Sequence, residues 1–137
     1  MSDQNRLLCR ELSLLAFNRR VLAQAQDARV PLLERLRFLC IVSSNLDEFF
    51  EVRMAWLKRE HKLRSSSRLD NGKTPAETIA AVSAEAHAII QEQYALFNDE
   101  LQPALSREGI HFYRRRNWTP AQRAWIERYF DCELLPI

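Results

Sequence analysis

Apolar residues in this chain recur mostly in steps of three and four, the spacing that lines one face of an α-helix. In SLLAFNRRVLAQAQ, Leu14, Phe17, Val21 and Ala25 share a face, with Leu22 beside them. Ser13 stands where an N-cap is expected. DARV then breaks the pattern, and Pro31 opens a second segment as a first helical residue. Its periodicity carries to about Leu63 as two stripes. One holds Leu32, Leu36, Leu39, Ser43, Leu46, Phe50, Arg53 and Leu57. The other holds Phe38, Val42, Asn45, Phe49, Val52 and Trp56. Two adjacent apolar stripes need packing partners on two sides, as in a helix bundle.

RSSSRLDNGK, residues 64–73, reads as a polar loop with Asp-Asn-Gly turn chemistry. TPAE then starts a third helix: Thr74 is the N-cap, Pro75 the first helical residue and Glu77 the reciprocal capping partner. Ile79, Val82, Ala86, Ile90, Phe97 and Leu101 face inward at helical spacing. Pro103 is expected to kink or restart this helix, and Gly109 to end it in the left-handed conformation. Beyond Gly109 the character changes. IHFYR reads as a short strand, RRRNW as a loop, TPAQ as a second capped start for the helix AQRAWIERYF, and ELLPI as the beginning of another strand. The expected organisation is an all-α three-helix bundle over 1–109, followed at 110–137 by the truncated start of an α/β domain.

With 137 residues, 47% hydrophobic and 28% charged, the chain is globular in composition and fits one ordinary domain. Only Gly72 and Gly109 occur, which excludes a glycine-rich phosphate loop or a dinucleotide fingerprint. A net charge of +2 is too small to imply nucleic-acid binding. Cys9, Cys40 and Cys132 are odd in number and far apart, so no disulfide framework is expected and a reducing cytoplasm is the default. Cys40 reads as a small core residue. No stretch approaches the roughly 20 apolar residues of a membrane span.

Candidate chemistry is sparse. His61, His87 and His111 have no second ligand at metal spacing and read as structural. Asp47, Glu48 and Glu51 cluster within a turn and a half, where carboxylates could hold a metal or move a proton; a solvated, charge-balanced helix face explains them better. Residues 53–68 carry six Lys/Arg against one Glu. Such a strip could meet a polyanion or a partner helix, through Lys58, Arg59, Lys62 and Arg64; a solvated helix end is the plainer reading.

Ser43, Ser44 and Asn45 interrupt an apolar run, and two readings stand. In one, a helix junction lies here, with Asn45 capping toward Glu48 and Ser44 toward Asp47. In the other, the helix continues and Asn45 projects into a groove. Its carboxamide offers an acceptor beside a donor, which matches the edge of adenine.

RELSLLAFNRRVL, VPLLERLRFLCIVSSNLDEFFEVRMAWLK and LQPALSREGI, at these spacings, resemble the N-terminal domain of bacterial polyphosphate kinases of the phosphohistidine type. The similarity runs over residues 7–137. It implies a spectrin-repeat-like three-helix domain, then a head domain starting near His111 that takes part in dimer formation. It implies reversible transfer of the terminal phosphate of ATP to polyphosphate, with the catalytic histidine, phosphate-binding residues and Mg2+ site in domains outside this chain. Asn45 matches the family's ATP-contacting asparagine; no catalytic or metal-binding residue of the family has a counterpart here. The implied partners are the remaining domains, ATP and polyphosphate, within a homo-oligomer. The implied location is cytoplasmic, or peripheral at the inner membrane as part of the full-length enzyme. Two departures stand out: Leu14 where the family usually has Trp, and Arg19 where it often has Glu.

Overall fold

The computed structural model describes residues 9–63, 69 and 72–135. Among them are six α-helices: α1 (Arg10–Gln26), α2 (Leu32–Glu48), α3 (Ala55–Leu63), α4 (Pro75–Ala95), α5 (Gln102–Arg107) and α6 (Pro120–Tyr129). Wide π-helical turns join α2 to α3 over Phe49–Met54 and α4 to α5 over Leu96–Leu101, and a third follows α6 over Phe130–Leu134. Along the sequence the chain divides into two compact units, with the boundary between Ala104 and Leu105. In the first, α1 packs along α2 and against α4, while α3 packs on α4. The result is the all-α three-helix bundle the periodicity predicts. No helix among the described residues is long and apolar enough to cross a membrane.

The core is drawn from every rod of the bundle. Leu15, Leu22 and Ala25 meet Leu39, Val42, Leu46, Phe49, Met54 and Leu57, and Val82, Ala86, Ile89, Leu96 and Leu101 close it. Each large apolar side chain so buried contributes about 1.5–3 kcal/mol. Half-exposed ion pairs contribute about 0–1 kcal/mol. Apolar burial therefore holds the bundle together, and charge pairs refine it. Arg19 of α1 bonds Glu85 and, at 2.7 Å, Glu92 of α4. Those two carboxylates raise the pKa of its guanidinium, Glu85 most. Arg19 thus clamps α1 to α4 from the rim.

Local punctuation decides where helices begin and end. Thr74 and Glu77 form the predicted reciprocal capping box around Pro75, and Thr119 and Gln122 repeat it around Pro120. Gly109, at φ +80°, ends α5: its N–H bonds Ser106 O and that of Ile110 bonds Leu105 O, satisfying carbonyls the helix leaves open. The turn before α4 likewise uses Gly72 at φ +75°. The wide turn Leu96–Leu101 lies just before Pro103, whose ring crowds the carbonyl four residues back.

Several expectations are corrected. α1 begins at Arg10, with Cys9 in the capping position, so Ser13 lies inside its first turn. Pro31 caps α2 rather than starting it. The buried face of α1 is Leu15, Asn18, Leu22 and Ala25, whereas Leu14 and Phe17 are exposed. Cys40 is exposed, on the side of α2 away from the core. Residues 110–114 form no strand, and 130–134 coil into a π turn. A strand needs a neighbour to bond with, and none lies among the described residues; local helical bonds satisfy the backbone of 130–134 instead. Of the polar loop, residues 64–68, 70 and 71 lie outside the described residues.

The short link from α1 to α2 is held by an Asx turn. Asp27 Oδ1 accepts from the Arg29 backbone N–H at 2.9 Å, and the Arg29 guanidinium grips the same carboxylate at 2.6 Å. That side-chain bond, with the backbone one, holds the Asp27 pKa down to about 2 from 3.8. A depressed acid stabilises the fold above its unfolded pKa, and the contribution is lost as pH falls through the folded value. NMR titration of Asp27 is expected to give a midpoint near 2, moving upward in Arg29→Ala. A midpoint that stays put in the variant removes the guanidinium as the cause.

Candidate functional site

The helix does not break at Ser43, Ser44 and Asn45. α2 runs through them to Glu48 and continues into the π turn, and Asn45 makes no side-chain cap. The junction reading is therefore overturned. A cap is needed only where backbone donors lack partners, and here the intrahelical bonds continue. Ser43 and Ser44 are exposed, while Asn45 is half-buried and faces α1.

Its partner there is Asn18, a residue the periodicity passed over. Asn45 Nδ2 donates to Asn18 Oδ1 at 3.1 Å, and Asn18 Nδ2 donates to the Val42 backbone carbonyl at 3.2 Å. Asn18 is only 3% exposed. An apolar count favours Leu14, Phe17, Val21 and Ala25 as the inner face of α1. The true inner face admits a polar residue because these two bonds satisfy it. A usable signal was present: one asparagine lies on a helical stripe in each of the first two segments.

Beside this pair opens a cleft of about 190 Å3 between α1 and the α2–π junction. Leu14, Phe17 and Val52 form apolar walls, Asn18 and Asn45 the polar floor, and Glu48 and Arg53 contribute opposite charges. Leu14 is 39% exposed, Phe17 50% and Val52 53%, so apolar surface is left open to a ligand. Arg20 lies over the Phe17 ring at 5.5 Å. Complete small-molecule pockets run to about 300–1,000 Å3. At about 190 Å3 this cleft falls below that range.

The π turn shapes that cleft. Core positions step Leu39, Val42, Leu46, Phe49, and an unbroken α-helix would next bury Arg53 and Trp56. One extra residue in the wide turn buries Met54 and Leu57 instead. Val52 and Trp56, expected on an inner stripe, are exposed. Arg53 is released to the cleft.

Of the other candidates, Glu48 alone borders the cleft. Asp47, Glu48 and Glu51 are exposed, in keeping with a solvated face. His61 is exposed, while His87 Nδ1 bonds Ser83 O and His111 Nδ1 bonds Ser106 Oγ, both within a few residues along the chain. Among the described residues no group of three or more His, Cys, Asp or Glu could hold a metal ion. Lys58, Arg59 and Lys62 are exposed on α3, and Arg64 lies outside the described residues.

The described residues form a helical bundle with apolar cleft walls around a carboxamide. A sequence profile described as the polyphosphate kinase N-terminal domain matches residues 7–113, and the chain belongs to that family. It is 76% identical over its whole length to a polyphosphate kinase of Neisseria meningitidis serogroup A and 47% identical to one of Burkholderia multivorans. It spans about 20% of the length of each. The crystal structure of polyphosphate kinase from Porphyromonas gingivalis matches 94% of this chain with a TM-score of 0.70 and 30% identity, over 18% of that chain.

The register role of the π turn can be tested by deletion. Removing exposed Glu51 leaves Met54 and Leu57 at α-helical spacing from Phe49. That variant is expected to unfold cooperatively with a midpoint near the parent's. Removing exposed Ser44 turns every later core residue by about 100°, and is expected to abolish cooperative unfolding. Equal damage from both deletions would sink the account.

Proposed function

We propose that this chain is the N-terminal part of an enzyme that reversibly transfers the terminal phosphate of ATP to polyphosphate through a phosphohistidine, and that its cleft covers the adenine side of the ATP site. The observation that carries this reading is Asn45. It is set by Asn18 on the floor of an apolar-walled cleft, within a chain of the polyphosphate kinase family. A carboxamide between apolar walls suits a purine: the walls pack against the base and the amide pairs with its donor–acceptor edge.

Phosphoryl transfer needs the phosphates aligned and their charge neutralised. Those tasks fall to domains outside residues 1–137. The magnesium ion of the full-length enzyme is assigned to those same domains. The chain's own work is nucleoside positioning. Residues 110–137 begin the head domain, which takes part in assembly of the full-length enzyme as a homo-oligomer, acting in the cytoplasm.

Two outcomes test this. In the full-length enzyme, Asn45→Ala is expected to weaken ATP use by about 1–3 kcal/mol, the worth of a bidentate amide–base pair. Unchanged steady-state constants with unchanged stability would remove the adenine contact. The isolated chain, incubated with ATP, magnesium and polyphosphate, is expected to yield neither phosphorylated protein nor longer polymer. Either product would show that it carries chemistry of its own.

A further inference from the structure

We infer that Asn18 is a positioning residue that makes the cleft favour a purine bearing an amino group at ring position 6 over one bearing a carbonyl there. The inference rests on the reading of Asn45 as the base contact. It begins with a fixed acceptor. The Val42 carbonyl belongs to the backbone and can only accept, so Asn18 must turn its NH2 toward it, at 3.2 Å. The Asn18 carbonyl then faces α2. Asn45, 3.1 Å away, must answer with its own NH2. Nδ2 of Asn45 spends one hydrogen on Asn18 and keeps the other, and Oδ1 is left as the group's acceptor.

The sense of the Asn45 amide is thereby inherited from a backbone carbonyl on its own helix. Turning it by half a rotation would set Oδ1 of Asn45 against Oδ1 of Asn18, acceptor against acceptor, beside a side chain only 3% exposed. An acceptor with one adjacent donor pairs with a 6-amino purine, which offers N6–H and N7. A 6-oxo purine offers two acceptors on that edge and leaves the Asn45 carbonyl unpaired. Without Asn18 the Asn45 amide could turn either way, and the distinction would fade.

The test measures kcat/KM for ATP and for GTP in the full-length enzyme. The parent is expected to favour ATP. In Asn18→Ala that preference should shrink by about fivefold or more, chiefly through KM. Asn18→Asp offers acceptors to Asn45 in the original sense but loses the donor to Val42 O. Its preference is expected to stay near the parent's although its thermal stability falls at least as far as that of Asn18→Ala. A preference that simply follows thermal stability through both variants overturns the inference, as does a parent enzyme that uses both nucleotides equally. If Asn18→Asp does not accumulate, Asn18→Ala decides: retained preference overturns the positioning role and reduced preference supports it. Asn45→Ala separates the two levels. If it leaves both KM values unchanged, the base contact fails and this inference with it. If it raises the KM for ATP while Asn18→Ala keeps the parent's preference, only the positioning role fails.

Discussion

A carboxamide taken out of water must keep its hydrogen bonds, because each one lost costs about 1–3 kcal/mol. Asn18 imposes that condition on the interface between α1 and α2. Its donor reaches the Val42 carbonyl and its acceptor takes Asn45, so sliding or turning α1 on α2 would strand both ends. Leu15 and Leu22 flank it along the same face and enter the core only in that alignment. An apolar pair in its place would tolerate many alignments, since hydrophobic burial has no direction. The polar pair selects one, and it fixes where the cleft beside Asn45 opens.

The wide turns answer a second constraint. A long helix with a steady three-and-four stripe keeps one face to one neighbour, but both long rods have partners that change along their length. A turn with one extra residue rotates the buried face without ending the helix. It moves burial from Phe49 to Met54 on one rod and from Leu96 to Leu101 on another. In the first case the rotation lies at the cleft and turns Val52 and Arg53 toward it.

Charge then trims what burial has built. Arg35, almost fully buried, donates to the Ala25 carbonyl at 2.7 Å and to Glu100 at 2.9 Å. It thus satisfies an acceptor that the C-terminal end of α1 would leave open and ties α2 to the far rod. Arg19 has two carboxylates of α4 waiting for it, and this pairing at the rim leaves the Asn18 alignment undisturbed.

The amino-acid sequence alone determined the helix count of the bundle, both capping boxes and the glycine stop at Gly109. Each is settled within a few residues by capping chemistry, proline geometry or the left-handed tolerance of glycine. It also marked Asn45 as out of place in an apolar stripe. Tertiary structure alone decided which face of α1 is inside. Two faces are helical by spacing, and the more apolar one lost because Asn18 finds its partners on α2. It decided too that the helix runs unbroken through Asn45, and that Met54 replaces Arg53 in the core. The register change of a π turn depends on the neighbours packed on either side of it, and those belong to other parts of the chain.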